Sequence, residues 1–249
     1  QQQNTLLNYE GLLSGFKGLF ENEKDDAVSC KIIQQLSNQQ IIKYFPKKEV
    51  EQILKKQPLK KLQHTKTTTL QFNSSINLNK ITPFSYKEFG IYGFKSDTFY
   101  LAISAISNPK MHHSWGHVHN DKLSFELQVN GNDLVKDPGT YSYSAFPTKR
   151  NELRSSEAHH GICVDGIDQN KAIGLFYLER ETICKVLEVR DFSITLQVNY
   201  YGVEHIRKFT ILENQLIVTD YCNKPFKVNI NKFDYYSPNY GSFKVLKRD

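Results

Sequence analysis

The stretch LSFELQVNG, residues 123–131, is the clearest strand-and-turn signal in the chain. Leu123, Phe125, Leu127 and Val129 alternate with Ser124, Glu126 and Gln128, the period of two that sets apolar side chains on one face of a strand. Asn130-Gly131 then supplies a two-residue turn whose central positions both need positive φ, which Asn tolerates and Gly adopts freely. The same alternation recurs outward from it: Phe99, Leu101 and Ile103 are set against Tyr100, Ala102 and Ser104. Further strands are expected at 161–165, 173–180, 182–189, 192–200, 204–211, 215–220 and 226–232, with Asp165-Gly166 as another turn. Many strands without helical patterns between them predict a mostly β chain, an antiparallel β-sandwich over residues 71–249, rather than a parallel α/β sheet.

The chain changes character near residue 70. Before that point apolar residues recur three or four apart: Leu6, Tyr9, Leu13, Phe16 and Phe20, then Val28, Ile32, Ile33 and Leu36, then Val50, Ile53 and Leu54. These predict two or three amphipathic helices over residues 1–70, too few for a core of their own and expected to end a larger helical unit. The polar residues 62–82 read as a linker or an edge strand. No internal repeat is visible. The start, Gln1-Gln2-Gln3-Asn4, has neither Met nor the basic and apolar regions of a signal peptide, which suggests a mature form or a fragment.

The 249 residues carry 32 Lys and Arg against 26 Asp and Glu, a formal net charge of +6. That balance is compatible with an acidic polymer as partner. No helix-turn-helix, RNP-type or zinc-finger pattern accompanies it, so nucleic acid is not the expected partner. No apolar run reaches the roughly 18 residues needed to span a bilayer. Cys30, Cys163, Cys184 and Cys222 are widely scattered, and nothing selects one pairing among them.

Six of the eight histidines fall in two clusters, at 112–119 and 159–160. In an extended segment His117 and His119 project to one side, so H-x-H aims two imidazoles at one place. His119, Asp137 and His159 offer two nitrogens and a carboxylate, a set that suits zinc with a fourth position open. Their wide spacing requires neighbouring strands to bring them together. The alternative is histidines hydrogen-bonded to backbone and an Asp that belongs to a Pro-Gly turn.

The stretch Gly116-His-Val-His-Asn-Asp-Lys-Leu-Ser-Phe125 resembles the G-H-x-H-x-D-x-L-S-F block of the heparinase II/III-like polysaccharide lyases. Asp137-Pro-Gly-Thr-Tyr-Ser-Tyr143 is similar to that family's D-P-G-T-Y-x-Y element. Arg150-Asn151, Arg154-Ser155 and Ala158-His159 resemble its R-N, R-S/T and A-H-N segment, and Val164-Asp165-Gly166 its V-D-G turn. The resemblance covers roughly residues 85–245. It implies an α/α-toroid, of which the helical beginning is the end, joined to a C-terminal β-sandwich with a polyanionic sugar chain between them. It implies zinc bound by His119, Asp137 and His159, either structural or supporting the site, and His117 at the catalytic cleft. A periplasmic or secreted location is expected with it.

Lyases of this kind cleave a uronate polymer by β-elimination: a base takes the C5 proton, the adjoining carboxylate is neutralised, and an acid protonates the departing O4. Groups that face the carboxylate stabilise the developing charge, and a His or Tyr in hydrogen-bonding reach relays protons. His117 suits that role, with Tyr141, Tyr143 and Arg154 as sugar-facing partners. Packing beside a turn is the other reading of the two tyrosines, and pairing with a carboxylate that of Arg154. Trp115 suits sugar stacking or the core, and His112 and His113 an exposed loop. Two departures stand out: His160 occupies the place of the family's Asn, and the toroid's proton-transfer residues have no match here. The alternative function is therefore a non-catalytic sandwich that binds polysaccharide or supports assembly.

Overall fold

A computed structural model describes residues 62–108, 117–179, 182–230 and 233–246. The chain divides into two units, Gln1–Lys61 and Leu62–Asp249. The helices expected in the first, with Cys30, lie outside the described residues, as do His112, His113 and Trp115.

The second unit is built on two antiparallel five-stranded sheets. Strands β1 (His64–Gln71), β2 (Thr82–Tyr86), β3 (Ile91–Lys95), β4 (Phe99–Ser104), β5 (Phe125–Val129) and β6 (Asn132–Val135) precede one short helix, α1 (Pro147–Leu153). Then come β7 (Ile162–Cys163), β8 (Ala172–Ile173), β9 (Tyr177–Leu178), β10 (Cys184–Arg190), β11 (Ser193–Tyr200), β12 (Val203–Leu212) and β13 (Gln215–Cys222). Three two-residue strands close the chain: β14 (Lys227–Val228), β15 (Tyr235–Tyr236) and β16 (Lys244–Val245). One sheet runs β1-β13-β12-β11-β10 and the other β2-β3-β4-β5-β6. Thus the polar stretch at 62–82 supplies an edge strand, β1, paired with β13 from His64↔Cys222 to Gln71↔Gln215.

Alternation in the sequence becomes the inner face of the sandwich. Phe99, Leu101, Ile103, Phe125, Leu127 and Val129 of one sheet join Leu196, Val198, Phe209, Leu216 and Val218 of the other in a single buried cluster. Phe125 and Phe209 meet edge to face across it, with centroids 5.2 Å apart. Each such side chain removed from water contributes roughly 1.5–3 kcal/mol, so the inner faces hold the two layers together. The Asn130-Gly131 turn forms as expected, with φ of 53° and 80°.

Three expected strands are shorter than predicted. Run 173–180 breaks at Gly174, whose φ is 63°, and folds into the β8–β9 hairpin. Run 161–165 keeps only Ile162–Cys163, because the Asp165-Gly166 turn links Val164 to Ile167 by an isolated bridge. Run 226–232 keeps Lys227–Val228, paired with β7. Among the described residues Cys184 and Cys222 are free thiols, and burial pushes the Cys184 thiol up to about 12.

Candidate active site

Three loops meet at one end of the second sheet: the 117–124 segment entering β5, the 136–146 segment leaving β6, and residues 154–161 between α1 and β7. Pro147 starts α1, where its missing N–H costs no helical bond.

His117 is exposed, and its Nδ1 lies 2.9 Å from the Tyr143 hydroxyl. The two rings are edge to face at 5.1 Å. The Arg150 guanidinium stands over the Tyr143 ring at 4.8 Å and over Phe176 at 5.5 Å. Deeper in, His119 and His159 have ring centroids 5.2 Å apart. Asp137 Oδ2 accepts from His159 Nδ1 at 2.7 Å, and Asp137 Oδ1 accepts from Gly139 N at 2.8 Å. Thr140 Oγ1 lies 3.2 Å from His119 Nε2.

Burial sets the charges here. It lowers the His119 imidazole to about 4, helped by the positive His159, so His119 is neutral at pH 7. Burial also opposes charge on Asp137, but His159 and the Gly139 N–H hold that carboxyl well below the usual range. His159 is shifted the other way, since Asp137 outweighs the burial that would discharge it.

The structure therefore brings His119, Asp137 and His159 together, with the carboxylate engaged on His159. Among the described residues no three His, Cys, Asp or Glu side chains already stand in metal-holding geometry. The donor set nonetheless fits zinc once the metal displaces the His159 proton: His159 Nε2 is buried without a hydrogen-bond partner, His119 is neutral, and Asp137 is ionised. His160, at the family's Asn position, donates Nε2–H to the Lys136 carbonyl at 2.6 Å and its backbone N–H to Ser124 Oγ at 3.0 Å. It ties the A-H segment to the strand end that carries Asp137.

Arg154 is 1% exposed. It donates Nη1 to the Leu175 carbonyl at 2.8 Å, which also receives Arg150 Nε at 3.1 Å. Tyr141 holds a left-handed backbone, φ 64°, and stacks on Phe243 at 4.2 Å with planes 1° apart.

Several supporting residues carry no motif of their own. Lys122, fully buried, donates Nζ to the His119 carbonyl at 2.6 Å. Arg207 of β12 donates to the carbonyls of Leu123 (2.9 Å) and His160 (2.5 Å) while paired bidentately with Asp220 of β13. Asp220 also accepts from His205 Nε2 at 2.7 Å. A charged residue at an inward position of a strand was the available signal for Arg207 and Asp220.

Comparisons with known proteins give the chain a family. The description "Heparinase II/III-like, C-terminal" fits residues 80–227, more than half of the chain. No curated protein matches the sequence significantly. Among solved structures, a heparinase III gene product with methylated lysines is 23% identical with a TM-score of 0.42, covering 55% of this chain and 21% of its own. The heparan sulfate lyase HepC from Pedobacter heparinus is 17% identical with a TM-score of 0.39, covering 53% and 20%. The chain thus spans about a fifth of the length of either structure. On the family match over residues 80–227, this chain belongs to the heparinase II/III-like family, as its C-terminal domain.

Proposed function

We propose that this chain is the C-terminal portion of a polysaccharide lyase that cleaves a uronate-containing acidic polysaccharide by β-elimination. The observation that carries this reading is the exposed His117–Tyr143 pair, joined at 2.9 Å beside the Arg150 guanidinium. In the reaction the C5 proton leaves to a base and its electron pair forms the C4–C5 double bond. The C4–O4 bond breaks as that double bond forms, and the departing O4 takes a proton. A hydroxyl held by an imidazole can accept and return a proton at such a centre. The Arg150 guanidinium is attracted to the face of the phenol ring, as in any cation–π contact, and holds that ring in place. Tyr141 packs on Phe243, so its part is to hold the loop that carries Tyr143. Arg154 is buried, so its part is the field of its charge and the loop it holds through Leu175.

His119, Asp137 and His159 would hold zinc in this reading. Bound zinc supplies a fixed tie between the three loops and leaves His117 at the surface. The buried, unpartnered Nε2 of His159 supports that assignment. Metal analysis of the purified protein checks it: stoichiometric zinc is expected in the wild type and loss of it in His119→Ala. Equal zinc in both removes His119 from the ligand set.

The activity itself is tested by incubating the full-length protein with heparin-like, chondroitin-like and alginate polymers and following ultraviolet absorbance of the unsaturated product. Absence of product with all three sinks the lyase reading. Affinity for one of them without product would favour a binding module instead.

A further inference from the structure

The family match ends at residue 227, yet the chain beyond it reaches the site. The β15–β16 hairpin carries a loop, 237–243, that lies along the 137–143 segment. Ser237 N donates to the Pro138 carbonyl at 2.9 Å, and Gly241 N to the Tyr141 carbonyl at 2.6 Å. Lys149 of α1 fastens the base of the hairpin: its ammonium lies 5.1 Å from the Tyr235 ring centroid and 5.6 Å from those of Phe233 and Phe243. It also donates to the Tyr235 hydroxyl at 2.7 Å.

So fixed, the loop presents Tyr240, 62% exposed, nearly parallel to Tyr143 with planes 22° apart and centroids 6.2 Å apart. Tyr143 in turn holds His117. A large exposed aromatic surface on an anchored loop needs an occupant. Two features say which. The flat rings suit the C–H face of a pyranose, and the partly exposed Lys149 ammonium suits an acidic substituent, while the Arg150 guanidinium is buried and serves the face of Tyr143.

We propose that the C-terminal hairpin is a sugar-binding arm in which Tyr240, backed by Tyr143, stacks against a pyranose ring of an acidic polysaccharide next to His117. This assignment rests on the lyase reading for the identity of the polymer, and it names a subsite outside the region that matches the family.

The test is calorimetric titration of full-length protein, carrying His117→Ala to suppress turnover, with size-defined uronate hexasaccharides from the three polymer classes. Replacing Tyr240 by Ala should weaken affinity about three- to tenfold, the range of one aromatic contact, while Tyr240→Phe stays within about twofold. The melting temperature should not move, because the side chain is exposed. Unchanged affinity in Tyr240→Ala overturns the arm, and so does failure of all three hexasaccharides to bind. A lowered melting temperature with unchanged affinity also overturns it, by showing that the ring packs against protein. Product formation by the protein with His117 intact is scored separately. Product with a silent Tyr240→Ala leaves the lyase reading standing and removes the arm. Tyr240-dependent affinity without product does the reverse.

Discussion

Arg207 sets how firmly the site loops are held. Its guanidinium is fully buried in β12, neutralised by Asp220, and its remaining donors cap two carbonyls, Leu123 and His160. Those carbonyls belong to the segments that carry His119 and His159. Leu123 needs such a hold, because its backbone sits at φ 63°, a left-handed conformation that a branched side chain resists. Replacing Arg207 by Met strands the Asp220 carboxylate in the interior and frees both carbonyls. A loss of about 3–5 kcal/mol in denaturant-measured stability is expected, with much of it regained in the double variant Arg207→Met/Asp220→Leu. A loss under about 1 kcal/mol in the single variant would show that the pair contributes little.

Among the elements, the loop after β6 depends on Gly139. Its φ is 75°, and a Cβ there would lie 2.5 Å from the Ser237 carbonyl oxygen. Glycine in D-P-G is thus required twice, by its own backbone and by the approach of the C-terminal hairpin. Gly139→Ala should cost roughly 1–3 kcal/mol and loosen the hairpin. Faster amide exchange at Ser237 and Gly241, whose N–H groups bond to Pro138 and Tyr141, is the check. Unaltered exchange there would mean that the hairpin does not depend on this approach.

The elements also show what sequence can reveal. Strands β4, β5 and β11 to β13 are long enough for alternation to be counted, and they were legible. The two-residue strands β7, β14, β15 and β16 carry no period to read. The 117–119, 137–143 and 159 segments are continuous words, so the residues meeting at the site could be named. Arg207 and Asp220 could not be, since their roles come from contacts with distant segments: Arg207 reaches Leu123 across 84 residues. The hairpin bearing Tyr240 was missed for the same reason.

At the scale of the whole molecule, the inward face of the first sheet turns polar at one end, and this gives the fold an acid limit. Burial lowers the His205 imidazole against the pull of Asp220, so the native state leaves it neutral. The unfolded chain protonates it near pH 6.5. Below that pH the unfolded state binds the extra proton, and stability falls as pH falls. Asp220, opposed by its own burial, is held well below the usual carboxylate range by Arg207 and His205, and extends the loss to lower pH as the unfolded carboxyl protonates near pH 4. Between pH 6.5 and 4.5 the wild type should lose up to about 1.4 kcal/mol per pH unit more than His205→Gln. Parallel pH dependences in urea unfolding would contradict a neutral buried His205.

The same sheet supports, through Arg207, the loops that hold the proposed lyase chemistry, and that chemistry rests on the His117–Tyr143 pair. Its most direct test is the turnover of the full-length protein on its best uronate polymer, comparing wild type, His117→Ala, Tyr143→Phe and the double variant. Each single change is expected to lower kcat by roughly 100-fold or more, the span of a lost general acid–base group, with the double no worse than the poorer single. Wild-type kcat in both single variants would contradict the account.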